Sequence, residues 1–493
     1  MNRAFCDLQR SGSIRILAVL IATLALAVAT QAQVPITKIS SDTFTNSSSQ
    51  HATQVEPDTF AFGSTIVSAF QSGRFVTGGG SSDIEWATST NGGATWTTGS
   101  LPGTTVFVGG PYDRISDPSV AYDAAHGKWM IATIAIKNST GVAVLASTSS
   151  DGITWNNPVV VNSTSGFDDK DWIACDNTPS SPFYGHCYVE WDEAFSGDQV
   201  RMSTSTNGGV SWSGFVNVPG AFGLGGQPLV QPNGTVVVPF EGNGIQAFTS
   251  TNGGTSWSSP VTVASITDHF VAGNMRTSPL PSAEIDAAGK VYVVWQDCRF
   301  RAGCSSNDIV MSTSTDGKTW SAVSRIPIDP TTSTVDHFIP GIGVDPSTSG
   351  NTAHLGVAFY AFPVSNCSTS TCQLLVGFVS STNGGSTWSK LAKLAGPMRV
   401  TWIASTDQGN MVGDYISTSY VNGKGFGVFA KALQKNGSTF NEAMYTPVNG
   451  LDALAAGGTV SSTGEQPVPG AASDHGPRKY YDLDGMVPIP PER

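Results

Sequence analysis

The sequence is short of charge. Asp, Glu, Lys and Arg make up 13% of its 493 residues, about half the share usual in soluble chains. A framework of salt-bridged helix faces is thereby excluded, and no stretch beyond the N-terminus carries a helical repeat of apolar residues. Apolar runs of spanning length are also missing, so no membrane insertion is expected. Basic residues are the scarcer kind: 25 Lys and Arg against 37 Asp and Glu give a net charge of −12. Such a surface argues against nucleic acid and anionic membranes as partners. Nucleophile-elbow, HExxH, P-loop and dinucleotide motifs do not occur in a credible context.

What the chain has instead is turn-forming material. Its 55 glycines, with abundant Ser, Thr and Asn, predict many short strands joined by tight turns, an all-β class. At the N-terminus, Arg3, Arg10 and Arg15 precede an apolar run from Ile16 to Val28, and small residues surround Ala32. This reads as a signal peptide over residues 1–32, cleaved near Ala32, and predicts a secreted or periplasmic protein. Its loss takes the net charge to −14. Of seven cysteines, Cys6 leaves with the signal. The others fall in close pairs: Cys175 with Cys187, Cys298 with Cys304, and Cys367 with Cys372. In an exported chain these predict three local disulfides. Metal binding is the rival reading, and no C-x-x-C pair or His cluster supports it.

One phrase recurs six times, as in "STNGGATW" ending at Trp96 and "STNGGSTW" ending at Trp388, with the other copies ending at Trp155, Trp212, Trp257 and Trp320. A Gly always stands three residues before the Trp. Its chemistry is that of a corner: Asn or Asp accepts backbone N–H groups, Gly takes a positive φ, and Trp buries a large ring. Each phrase follows two apolar strands separated by a Gly-containing turn. Four strands per unit, repeated, make the blades of a β-propeller. Seven units are counted, with six blades as the alternative. Residues 51–450 form the ring, 33–50 a lead-in and 451–493 a Gly/Pro/Ser-rich, flexible tail. Asp123, Asp176, Asp286 and Asp345 end first strands before turns and read as turn caps.

The phrase resembles the Asp-box, or BNR repeat, of the sialidase superfamily (S-x-D-x-G-x-T-W), with Asn at the Asp position in four copies. In that family the box lies on the outer rim, so the resemblance implies that these residues are scaffold. It also implies a glycan-active protein: a glycoside hydrolase of exo-sialidase type acting on an anionic sugar in a central funnel at the strand starts. Three arginines would clamp the sugar carboxylate, a Tyr assisted by a Glu would attack, and an Asp would serve as acid/base. Arg114, in "YDRISDP", resembles the family's first Arg motif, though Ser116-Asp117 separates it from Pro118. Arg276 and Arg399 are the other clamp candidates, with Asp414 beside them in the binding set. Tyr415 is the candidate nucleophile and Asp117 or Asp169 the acid. Glu190 and Glu241 are available as the assisting Glu. Elimination from a uronate is a second chemistry, with Tyr415 or His337 as base. The alternative is a non-catalytic propeller that binds glycan or protein. The expected partner is a carbohydrate or glycoconjugate and the expected state a monomer. No cofactor or metal is expected. An Asp-rich exported propeller is compatible with calcium, but no EF-hand-like spacing supports it.

Overall fold

The structure, a computed structural model, describes residues 33–454, 460–461 and 465–468. The signal-peptide reading of residues 1–32 and most of the expected tail therefore fall outside the described residues. The chain is all-β, and among the described residues its helical turns are three-residue 3-10 segments.

Seven antiparallel units of four principal strands follow one another. Their first strands are Gln54–Phe62, Arg114–Asp123, Asp168–Cys175, Leu229–Val230, Ser282–Ile285, Asp336–Val344 and Ser417–Val421. Sheets one and two are linked by a single pair, Ser81 with Ile115. The fourth strand of sheet seven comes from the other end of the chain: Ile36–Lys38 pairs with Glu442–Pro447 in the register Ile36 to Pro447 and Lys38 to Tyr445. The segment expected as a lead-in is thus corrected at these residues, which complete a sheet. Three residues are too few to show a strand period in sequence. Of the C-terminal stretch, Val460–Ser461 pairs with Thr387–Trp388.

Apolar clusters lie between neighbouring sheets. One joins Val67 and Trp86 of sheet one to Trp129 and Ile131 of sheet two. Another joins Val237 of sheet four to Val293 and Trp295 of sheet five. Sheets seven and one meet through Ile66, Val421 and Phe426 and through a larger cluster that holds Phe70 of sheet one and Val428 and Ala430 of sheet seven. Polar stitches run alongside these clusters near the first strands. Asp58 Oδ2 accepts the Val120 N–H at 2.7 Å, Ser119 Oγ the Ile173 N–H at 3.1 Å, Gln227 Oε1 the Ala283 N–H at 2.7 Å and Ser282 Oγ the Ile342 N–H at 3.1 Å. Thr418 Oγ1 donates to the Gly341 carbonyl at 2.9 Å, and Ser417 Oγ to the Thr59 carbonyl at 3.2 Å. These bonds join six of the seven neighbouring pairs, the last sheet to the first included, and sheets three and four meet through Tyr188, Val200, Val236 and Phe240.

The repeated phrase is scaffold. In the Asn copies the side chain closes a wide corner: Asn91 Oδ1 accepts the Thr95 N–H at 2.9 Å. In the Asp copies the corner is shorter, and Asp316 Oδ1 accepts the Lys318 and Thr319 N–H groups at 2.8 and 2.7 Å. The corner glycine faces the preceding sheet. A Cβ on Gly317, whose φ is +68°, would lie 2.7 Å from Val237 Cγ2 of sheet four. The four turn-cap aspartates also cap turns, as in Asp123 Oδ1 accepting the Ala125 and His126 N–H groups at 3.0 and 3.1 Å.

All three expected disulfides are present, and each is local. Cys175 is bonded to Cys187, which ties the end of the first strand of sheet three to the start of the second. Cys298 is bonded to Cys304 across the turn that follows Val291–Asp297. Cys367 is bonded to Cys372 in the connection between Leu355–Phe362 and Gln373–Ser381. The six thiols are thus consumed in pairs, which removes the rival metal-binding reading of these cysteines.

A Gly317→Ala substitution combines backbone strain with a steric clash, and is expected to destabilise the fold by roughly 1–3 kcal/mol. Denaturant unfolding measures this; a change below about 0.5 kcal/mol would contradict the staple role of the corner.

Candidate functional site

Four first strands share a device the sequence reading missed. The register slips between Val55 and Asp58, Ser116 and Ser119, Asp169 and Trp172, and Phe338 and Gly341. Each slip is a bulge holding a residue at positive φ: Glu56 (60°), Asp117 (50°), Lys170 (51°) and Ile339 (47°). A proline follows three of them, Pro57, Pro118 and Pro340, where a missing ladder hydrogen bond costs nothing. The bulges re-aim side chains, and three of the four meet.

Lys170 is the centre of that meeting. Its ammonium lies 3.1 Å from Asp117 Oδ1 and 3.4 Å from Glu56 Oε1, and it also bonds Asp414 Oδ2. Arg276 grips the same Asp414 with both prongs, Nε to Oδ1 at 2.9 Å and Nη2 to Oδ2 at 2.7 Å. Two long connections deliver this pair. The segment before sheet five is tied to the hairpin before sheet seven through the Asn410 N–H to the Asn274 carbonyl at 2.7 Å, and the Arg276 N–H to the Asn410 carbonyl at 2.9 Å. The cluster is sealed: Glu56 and Asp117 are 1% exposed and Lys170 8%.

The electrostatics follow from burial and pairing. Burial raises the Glu56 carboxyl to about 7 in spite of Lys170. Burial alone would raise Asp414 too, but Arg276 and Lys170 overcome it and hold that carboxyl far below its usual range. Burial works against the Lys170 ammonium, yet Asp117, Asp414 and Glu56 push its pKa well above the ordinary value. Asp169, Asp171, Glu190 and Asp192 are held well above the carboxylate range by burial, and carboxylate neighbours add to it for Asp169, Asp171 and Asp192.

The expected site residues separate into two groups. Asp117, Asp414 and Arg276 meet at Lys170, and Tyr415 lies beside them. The Tyr415 hydroxyl donates to the Pro118 carbonyl at 3.0 Å, its ring stands edge-on to Trp172 at 5.1 Å, and burial, then Glu56 and Asp117, raise the phenol well above its usual value. It is a packed phenol with its proton engaged. Glu56, rather than Glu190 or Glu241, is the glutamate it feels. Asp169 accepts the Lys170 backbone N–H at 2.8 Å. The other expected residues lie elsewhere. Arg114 donates to the Gly79 carbonyl at 3.0 Å and lies 4.0 Å over the Phe75 ring. Arg399 is exposed at the end of the outer strand of sheet six. His337 is buried against Phe359, with Nδ1 3.1 Å from the Asn307 carbonyl and burial lowering its pKa. Arg276 thus holds Asp414, Arg114 holds the Gly79 carbonyl, and Arg399 is exposed. Among the described residues, the ligand-type group whose atoms lie within 4.8 Å of one another is Asp308, Asp329 and His337. Arg301 and Arg325 already pair with both aspartates, at 2.5 to 2.9 Å.

Open space lies beyond the bulges. A cavity of about 790 Å³ runs along the later halves of the first strands, lined by Phe60, Trp172, Glu284 and Tyr420 among others. Trp172 lines both this cavity and a small pocket that reaches Lys170 and Tyr415. Of the four carboxyl groups that line it, those of Asp58 and Glu284 have raised pKa values. Burial raises Asp58, on sheet one, to about 7. It raises Glu284, on sheet five, to about 8, and repulsion from Asp58 adds to that shift. Among the described residues no Lys, Arg or His lines this cavity.

Four-stranded sheets set around a shared centre, with Asp-box corners outside it, identify the architecture. The chain is built as a β-propeller of successive antiparallel sheets. Solved structures similar to this propeller include the leech intramolecular trans-sialidase (TM-score 0.43, 13% identity, 63% of this chain and 65% of that one). The NanB sialidase of Streptococcus pneumoniae gives a TM-score of 0.41 at 14% identity, over 83% of this chain and 70% of that one. A polysaccharide lyase, an ulvan lyase, gives 0.46 at 10% identity, over 85% and 99%. No family profile and no curated protein matches the chain.

Two outcomes follow from the propeller's buried charges. Lys170→Met leaves its carboxylates without their central cation and is expected to cost about 3–5 kcal/mol, the usual penalty for breaking a buried pair; an unfolding midpoint close to wild type would contradict this. Glu56 and Asp58 titrate near 7 and Glu284 near 8 when folded, against about 4 unfolded. Their raised values favour folding at low pH, and that contribution is lost as pH rises through 7 and 8. Calorimetry should show the melting temperature falling from pH 5 to pH 9, and a rise over that range would refute the assignment.

Proposed function

We propose that this chain is an exported, seven-bladed propeller that acts on a glycan as a glycoside hydrolase, holding the sugar in the axial cavity rather than at the strand starts. One observation carries the reading: a cavity of about 790 Å³ faced by aromatic rings and two carboxyl groups with raised pKa values. Aromatic faces and a few polar groups are what a sugar ring needs. A carboxyl that keeps its proton near neutrality can give it to a glycosidic oxygen, and a second carboxylate supports the reaction from another side. Asp58 is assigned as the acid and Glu284 as its carboxylate partner. Asp58 spends Oδ2 on the Val120 N–H, which fixes its position.

The seven-blade count rests on seven first strands in sequence, with Thr59 Oγ1 and Ser419 Oγ 3.2 Å apart where the last meets the first. Three disulfides support export. The sialidase chemistry expected from the Asp-box loses support, because Arg276 is committed to Asp414 and Tyr415 to Pro118.

The test is a substrate panel of neutral aryl glycosides, aryl sialosides and uronate polysaccharides. Turnover of a non-anionic glycoside is expected, with kcat/KM falling above about pH 7 as Asp58 loses its proton. Glu284→Gln should lower kcat by about 100-fold or more while the protein stays folded. Binding without turnover would leave a non-catalytic propeller, and a sialoside as the one substrate would return the site to the arginines.

A further inference from the structure

We infer that the sugar taken by the axial cavity carries a positive charge: the site fits an amino sugar with a free ammonium group, seated against Glu284. The inference rests on the cavity being the sugar site and goes on to its charge selectivity.

Four carboxyl groups line the cavity, those of Asp58, Glu284, Asp286 and Asp345, and no cationic side chain among the described residues does. Three are committed to the backbone. Asp286 Oδ1 accepts the Ala288 and Lys290 N–H groups, both at 2.9 Å, and its Oδ2 the Gly350 N–H at 2.8 Å. Asp345 Oδ1 accepts the Ser347 N–H at 3.0 Å. Asp58 Oδ2 holds the Val120 N–H. Glu284 makes one long bond, from the adjacent Ile285 N–H at 3.3 Å, and its exposed part faces the cavity. It is the carboxyl with capacity for a ligand.

A carboxyl enclosed by protein and facing other carboxylates has two ways to settle its charge: it keeps a proton, or it meets a cation. A bound ammonium group supplies the cation and forms a charge-assisted hydrogen bond, stronger than one to a hydroxyl. Trp172 and Phe60 line the cavity and supply aromatic surface for the apolar side of the sugar and for its charge. A uronate or sialate would bring a like charge with no guanidinium or ammonium to receive it. The same reasoning predicts a proton signature. Glu284 holds a proton near neutrality, and an incoming ammonium releases it.

Isothermal titration of the mature protein at pH 7, in two buffers of different ionisation heat, tests this. The ligands are oligosaccharides of glucosamine, of N-acetylglucosamine and of a uronic acid, matched in length. The amino form should bind about tenfold or more tighter than the acetylated form, with proton release seen for the amino form alone. Glu284→Gln should abolish both the preference and the release, with Glu284→Ala as the second variant if the first does not fold. Equal binding of the amino and acetylated forms without proton release overturns the charge inference and leaves the cavity reading standing. Tighter binding of the uronate form overturns the charge inference as well. Absence of binding by all three removes the cavity reading and the inference with it.

Discussion

The arrangement depends on one buried ammonium. Lys170 takes carboxylates from sheets one and two and from the approach to sheet seven, and Arg276 binds the last of these from the other side. Charges at such distances interact strongly when water is excluded, and each would be costly to bury alone. The contacts therefore act together. They lock distant parts of the chain together at the strand starts. The proposed sugar site lies past Trp172, where among the described residues no cationic side chain lines the cavity.

Different residues hold the fold and face the cavity. The Asp-box corners set each sheet on the one before through glycines such as Gly317, and the tryptophans carry apolar area to the sheet edges. Nearer the axis, side chains such as Ser119 and Ser282 bond the backbone of the next first strand. Asp58 belongs to this second set and also faces the cavity, which makes it both stitch and site. Glu284 has no comparable structural duty, and that freedom gives it a chemical role.

Much of the architecture was legible in the sequence because it rests on local chemistry. A Gly three residues before each Trp reported the corners. Cysteines five to twelve residues apart reported the disulfides, so that Cys187, Cys304 and Cys372 each bond the cysteine just before them in the chain. The closing strand Ile36–Lys38 was not legible, since its partner lies some four hundred residues away and three residues show no period. Lys170 stayed hidden between Asp169 and Asp171 because its direction depends on a bulge. The recurring Glu-Pro, Asp-Pro and Ile-Pro pairs at the strand starts were the available signal. Arg114 and Arg399 were placed by motif resemblance and order along the chain, which do not report that one lies over Phe75 and the other at an exposed strand end. Glu284 was passed over beside the turn cap Asp286, because nothing in one sequence marks a side chain that faces empty space.

The central claim is about place: the ligand sits along the axis beyond the bulges, and the strand starts are structural. A crystal structure of the Glu284→Gln protein soaked with a bound oligosaccharide decides it directly. Density for a sugar ring against Trp172, within hydrogen-bond distance of residue 284 and with the Lys170 cluster intact, is the predicted result. Density over Arg276, with its pairing to Asp414 broken to receive the sugar, would contradict the account.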